Sequence, residues 1–397
     1  MARWESFDAF LTEAGQVTSA TLRQSLVDQL LAERAVWPWI TDNRAAFIFS
    51  DNDDHQSVAL NLDIIKADPP FAPMTNLEGT RLWYVTREFA PDDLLDYLLA
   101  VDDPMTPLAS EPDIAGRIAR HWRTDPRNPV TMQTSQTAVS VLRMTLARPF
   151  PDWSAMPNVQ RGRIHEHSLD SAQLGFAGRK VWVYTPPRYD TSGLAYPLLV
   201  LQDGQWTAGP LQVPYIADAL IKHRRLQPLV IAMVQSRDQA ERNREYASND
   251  NHVSFLLIEL LPFVQTQYRV DSNNIGVGGV AVGAVAAAHA ALKNPAVFSH
   301  LIMISPPLGK GPEEVQLEQF TSRFENAELL PKRIFQSVGR YEARSRFYKP
   351  AFALRDILQQ RTDTAYRFVE TASGHGLVGF RSIFPEALSW AFPGELQ

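Results

Sequence analysis

The chain has 397 residues, 45% of them hydrophobic and 21% charged, an ordinary globular composition with length enough for two domains. Its formal charge of -6, from 44 acidic against 38 basic residues, gives no footprint for nucleic acid, and the absence of cysteine excludes disulfides, thiolate metal sites and a cysteine nucleophile. The N-terminus carries acidic residues where a secretory signal needs its apolar core, and no run approaches the roughly 20 apolar residues of a membrane span, so a cytoplasmic protein without membrane association is expected.

Residues 1–40 are expected to be helical. Leu22, Leu26, Leu30 and Leu31 recur at helical spacing with charged residues between them, until Trp37-Pro38-Trp39 ends the run. From 41 to about 155 the pattern changes to short strands over 47–49, 58–62, 82–85 and 97–101, separated by Asp, Asn, Pro and Gly clusters, which predicts a small β-sandwich. Thr124-Asp125-Pro126-Arg127-Asn128-Pro129 reads as a rigid turn, and the proline-rich stretch 148–157 as a linker into a second domain, 156–397.

Beyond the linker, strands and helices alternate. A leading hairpin over 163–169 and 180–184 is followed by the continuous apolar runs 197–201 and 229–234, as expected of strands buried on both faces. Helices over 213–223 and 253–268 lead to a strand entering the glycine-rich stretch 276–283. Strands over 301–304, 333–338 and 365–369, with helices over 347–361 and 383–390, complete the pattern. It predicts an α/β fold with a doubly wound, mostly parallel sheet, its active groups at the carboxyl ends of the strands.

Within that stretch Gly279-Val280-Ala281-Val282-Gly283 fits the nucleophile elbow G-x-S-x-G, in which a strained strand-to-helix turn presents a serine, except that alanine stands at the nucleophile position. The overlapping run from Gly276 to Ala281 also fits G-x-G-x-x-A, a dinucleotide fingerprint. That reading needs an acidic residue about 20 positions on to hold the ribose, and 301–307 contains none, so no cofactor is expected. His165-Glu166-His167 puts two imidazoles on one strand face, but no third ligand has a sensible spacing, so no metal is expected and surface residues are the plainer reading.

Acyl transfer needs a base, an acid that orients it and amide donors for the oxyanion. Three histidines follow the elbow. His289 lies two turns into the elbow helix and His300, next to a strand start, reads as a surface residue. His375, in the glycine-flanked loop Ser373-Gly374-His375-Gly376, is the expected base. Glu342, in Gly339-Arg340-Tyr341-Glu342, is the expected acid; an exposed carboxylate among Arg340, Arg344 and Arg346 is the alternative, with Asp363 in reserve. The turn Gln202-Asp203-Gly204-Gln205-Trp206 follows a central strand and can aim an amide of Asp203 or Gly204 at the oxyanion, with the Val282 amide as the other donor.

These residues carry a resemblance to the enterochelin esterases, a family of α/β-hydrolases. The matches fall in order: 198–206, Arg244-Glu245-Tyr246, the elbow and its helix ending Lys293-Asn294-Pro295, the Gly339 to Glu342 loop, and Ser373-Gly374-His375. In the N-terminal part 77–84 and 125–129 resemble the family's leading sandwich domain, so that the likeness runs from about residue 40 to the C-terminus. The resemblance implies hydrolysis of a catecholate siderophore trilactone, with His375 as base, Glu342 as acid and Asp203-Gly204 in the oxyanion loop. A small-molecule ester, a ferric siderophore among the candidates, is the partner it implies, with Trp206, Arg244, Tyr246 and Arg340 as substrate contacts. An anionic substrate accords with Arg237, Arg242, Arg244, Arg340, Arg344 and Arg346 on two loops; pairing of these arginines with Asp238, Glu241 and Glu245 is the alternative. The sequence leaves the oligomeric state open.

Ala281 departs from the family pattern. Removing a serine nucleophile costs about a millionfold in turnover, so the chain as written is expected to be inactive. It is either an introduced Ser→Ala change in an active esterase or a natural loss in a protein that binds a ligand or partner. A carbohydrate acetyl or feruloyl ester is an alternative substrate.

Overall fold

The computed structural model describes residues 3–62, 64–134, 137–310 and 320–395. The chain divides into two compact units, Met1–Arg148 with Ala372–Val378, and Pro149–Thr371 with Gly379–Gln397.

In the first unit, helices Phe7–Gln16 and Ala20–Glu33 are each started by a serine, Ser6 accepting from the amide of Ala9 and Ser19 from that of Leu22. Phe7, Phe10, Val27 and Leu30 pack with Trp37 and Trp39 against Ala46, Ile48 and Leu82, so the helical segment is a built layer of this unit. Leu22, in the first turn of its helix, is 62% exposed, whereas Val27 and Leu30 are buried. Beneath the helices is an antiparallel four-stranded sheet of Trp39–Thr41, Arg44–Phe49, Trp83–Glu88 and Thr75–Asn76. A second antiparallel sheet contains Phe71–Pro73, Val58–Leu62, Leu94–Val101, Ala138–Arg143 and Thr131–Gln133, with Trp122–Arg123 beside Leu94–Val101. Phe47 of the first sheet meets Tyr97 of the second with ring centroids 5.0 Å apart. The Tyr97 hydroxyl donates to Asp125 at 2.8 Å and accepts from Asn128 at 3.0 Å, so the turn at 124–129 is anchored in the interior.

The second unit is organised by eight strands: β1 Arg163–Ser171, β2 Phe176–Thr185, β3 Tyr196–Leu201, β4 Val230–Val234, β5 Val270–Val280, β6 Phe298–Ile304, β7 Arg333–Gly339 and β8 Ala365–Thr371. Their order is β1-β2-β4-β3-β5-β6-β7-β8, with β1 and β2 antiparallel and β3 to β8 parallel. This is the α/β-hydrolase arrangement. Every residue of β3 and β4 is buried, which explains their unbroken apolar runs. The segment expected as one helix over 253–268 is three: Asp250–Ser254, a π-turn at Phe255–Leu260 and Leu261–Gln267, which begins beside Pro262, where no amide can continue the ladder. The closing helix runs over Leu377–Ala391, longer than expected, with Pro385 inside it. Helix Gln239–Tyr246 has no apolar period to reveal it; Asp238 caps it by accepting from the amides of Ala240 and Glu241. Among the described residues no helix is long and apolar enough to cross a membrane.

Candidate active site

Six parallel strands deliver their carboxyl ends to one edge of the sheet. Asp203 follows β3, Ala281 follows β5, Ser305 follows β6 and Arg340 to Glu342 follow β7. Ala281 has φ 49° and ψ −127° and immediately precedes helix Val282–Lys293. That conformation lies outside the ordinary regions for an L-residue and costs about 1–3 kcal/mol. It persists because the surroundings impose it. The Ala281 amide donates to the carbonyl of Ile304 at 2.9 Å, and its carbonyl accepts from Ala284 at 2.9 Å. A Cβ on Gly279 would lie 2.4 Å from the Gly283 carbonyl carbon, and one on Gly283 would lie 2.8 Å from Asp203 Oδ2. Strand, turn and helix thus pass too closely for any side chain at either glycine.

The glycines of the dinucleotide fingerprint are accounted for in the same way. A Cβ on Gly276 would meet Phe392 at 2.8 Å and one on Gly278 would meet Ile302 at 2.9 Å, so both serve the packing of β5.

Asp203 (φ 59°) and Gly204 open the short helix Gly204–Thr207 as Val282 opens the elbow helix. Amides in the first turn of a helix have no intrahelical acceptor, so those of Gly204 and Val282 have no partner within their own helices. Asp203 is corrected. Its amide points to the Tyr246 hydroxyl at 3.4 Å, and its fully buried carboxylate receives Arg242 in a two-pronged pair, Nε to Oδ1 and Nη2 to Oδ2, both 2.7 Å. Its part is to hold the turn.

The same pair corrects Arg242, which is 3% exposed and committed to Asp203 rather than offered to a substrate. Burial disfavours its charge, and the Asp203 carboxylate more than offsets that, holding the guanidinium above its ordinary range. Tyr246 is corrected too: at 1% exposure it packs with Val282 and Ala286 beneath the elbow helix, and burial pushes its phenol well above the usual range. Trp206 is half-buried with the Arg242 guanidinium 4.8 Å from its ring centroid, and Arg244 is exposed. Arg237 pairs with Glu241 at 2.5 Å. Arg340 pairs with Glu370 at 3.1 Å, which also accepts from the Tyr348 hydroxyl at 2.7 Å.

Glu342 is 3% exposed, on the turn after β7, so the reading of an exposed carboxylate does not hold. Asp363 lies before β8, paired with Arg361 at 2.7 Å. His375 is exposed on the segment Ala372–Val378, which belongs to the first unit, where Leu94 donates to the Ala372 carbonyl at 2.9 Å. His300 is not a surface residue. Its ring lies tilted against that of Phe392, centroids 4.6 Å apart, and its Nε2 lies 2.8 Å from Asn274 Oδ1; burial, helped by Arg333 and Lys332, pushes it down to about 4. His289 is buried between Asp250 and Arg323, 2.8 Å from each. His165 and His167 pack against Tyr268, each with ring centroids 5.8 Å away, and the Tyr268 hydroxyl lies 2.5 Å from His167 Nε2.

Sequence reasoning missed the Asp203–Arg242 clamp and a second one behind it, in which Glu245 binds Arg179 and lies 3.2 Å from His252. Arg242 and Tyr246 are four apart and share a helix face, and a carboxylate ending a buried strand needs a cation: together those were the available signal. Ser305 was missed as well. It is 3% exposed, has φ 51°, and its amide donates to the Ser337 carbonyl at 2.9 Å.

A strained strand-to-helix elbow at the carboxyl edge of such a sheet is a feature of the α/β-hydrolase fold. The Esterase family model matches residues 175–344. The iron(III) enterobactin esterase of Escherichia coli O6:H1 strain CFT073 is 28% identical over 214 residues, 52% of either chain. The iron(III) salmochelin esterase of the same strain is 24% identical over 249 residues, 60% of this chain and 59% of that one. These alignments span little more than half the length of the curated relatives. Among solved structures, the ferric enterobactin esterase of Salmonella typhimurium superposes with TM-score 0.75 at 19% identity, over 92% of this chain and 98% of that one. The enterobactin esterase of Shigella flexneri, in the presence of enterobactin, gives 0.73 at 20%, over 89% and 94%. Over about half its length the chain is thus similar in sequence to the enterobactin esterases, and residues 175–344 to the Esterase family.

Proposed function

We propose that this chain is the scaffold of a serine esterase acting on siderophore-type esters, with its nucleophile position filled by Ala281. One observation carries the reading: Ala281 keeps φ 49° and ψ −127°, a costly geometry of the kind in which a nucleophile elbow presents its serine, at a residue with no hydroxyl. Relatives named as enterobactin and salmochelin esterases support the substrate class. With serine at 281, its hydroxyl attacks the ester carbonyl and gives its proton to His375, which Glu342 orients. The amides of Val282 and Gly204 hold the oxyanion, the alcohol leaves with the proton from His375, and water then releases the acid. Arg244, exposed, and Arg340, which also pairs with Glu370, would be the substrate contacts, Arg244 favouring an anionic substrate. The hydrolase domain is residues 156–397, after a helical segment 1–40 and a sandwich domain 41–155.

As written, the chain binds its ester without cutting it. Ala281→Ser should restore hydrolysis of an aryl ester and of a ferric catecholate trilactone. Tight trilactone binding by both forms with no turnover by the serine form would replace this reading with a ligand-binding one. Preference of the serine form for acetyl or feruloyl carbohydrate esters would move the substrate class.

A further inference from the structure

At the amino end of the parallel strands lies a cavity of about 390 Å³ lined by Arg225, Arg333, Arg367, Glu386, Ser389 and Trp390. Arg333 is the first residue of β7, six residues from Gly339 at the elbow edge, and at about 3.3 Å per residue the two ends are roughly 20 Å apart. Substrates of open α/β sheets bind at the other end. The proposed ester site does not include this cavity.

Its charge is unbalanced. Arg367 is spent on Glu386, through both Nε and Nη2. Arg333 gives its Nε to the Trp390 carbonyl at 2.9 Å, which leaves its terminal nitrogens unused by that bond, and its guanidinium lies 4.6 Å from the Trp390 ring centroid. Among the described residues neither Arg225 nor Arg333 has a carboxylate partner. Three guanidiniums therefore face one carboxylate, and arginine does not shed its proton to relieve the excess. Ser389 Oγ and Trp390 Nε1, on the same wall, are shielded from solvent and have no partner in the protein. Unmet donors at the wall of a cavity call for an acceptor inside it.

The walls are held in place. The Gly394 amide donates to the Arg225 carbonyl at 3.2 Å, the Gln227 amide donates to the Phe392 carbonyl at 3.2 Å, and Leu226 bridges Pro393. The volume is at the small-molecule end of ligand pockets. From this surplus of cationic donors around an aromatic wall, we propose that the cavity is a second binding site, for a small organic anion bearing a carboxylate or phosphate group.

Calorimetric titration of the full chain with inorganic phosphate, benzoate and citrate tests it. Saturable binding of at least one probe is expected, and which probe binds distinguishes phosphate from carboxylate. Arg225→Ala, a change at an exposed side chain, should weaken that binding by roughly tenfold or more, the worth of one charge-assisted hydrogen bond, and Arg333→Met should do the same. Ala281→Ser should leave it unchanged. The same probes should change tryptophan fluorescence in the parent chain and not in Trp390→Phe. No saturable binding of any probe, or binding indifferent to both arginine changes in variants whose circular dichroism matches the parent, would overturn the proposal.

Discussion

Arg242 reaches from helix Gln239–Tyr246 to close on Asp203 with two hydrogen bonds of 2.7 Å, both groups almost wholly out of solvent. Asp203 Oδ2 in turn lies where a side chain on Gly283 would be, so this one pair fixes the turn after β3 against the first turn of the elbow helix. Removing the cation strands a buried carboxylate. Arg242→Met should therefore cost about 3–5 kcal/mol of folding stability, measured by urea denaturation. A loss below ~1 kcal/mol would mean that water already reaches Asp203.

Ala281→Ser asks only for a hydroxyl on a backbone already bent for it. Turnover of an aryl ester should rise by about a millionfold over the parent, with stability changed by less than ~1 kcal/mol. His375→Ala in the serine form should return most of that gain; full activity without His375 would remove it as base.

Strain at position 281 can be weighed separately. Glycine adopts positive φ freely but loses more entropy on folding, about 0.5–1 kcal/mol, against a relief of about 1–3 kcal/mol. Ala281→Gly should therefore raise stability by roughly 1 kcal/mol. A fall in the denaturation midpoint would show that the turn carries no strain.

Two groups make stability depend on pH. His300, half-buried, is held down to about 4, below its ordinary 6.5, so the folded state resists a proton that the unfolded chain accepts. Stability is complete above pH 6.5 and declines as pH falls toward 4, by up to about 3 kcal/mol. Glu245 is opposed by burial but held at about 2 by His252 and Arg179, so its contribution stands above the ordinary carboxylate range and is lost as pH falls toward 2. Thermal melts across this range should show both declines, and His300→Gln should abolish the upper one. An unaltered profile in that variant would assign it elsewhere.

Local chemistry was readable wherever a short stretch carries its own constraint. The apolar runs of β3 and β4 announced strands covered on both faces, and Gly279 with Gly283 announced a strand-to-helix passage with no room for side chains. Helix Gln239–Tyr246 was not readable, because its eight residues are mostly polar and what it buries is chiefly charged, Arg242 and Glu245 with Tyr246, rather than an apolar stripe.

The sequence by itself determined the alternation of elements, the elbow and the alanine within it, since these follow from periodicity and from glycines a few residues apart. Only the tertiary structure decided that Arg242 and Tyr246 lie inside instead of facing a substrate, that Glu342 is buried and His300 half-buried, and that three arginines gather at the far end of the sheet. The reason is physical. A charged side chain reads alike in sequence whether it meets water or a counter-charge, and which of the two it meets is settled by residues tens or hundreds of positions away.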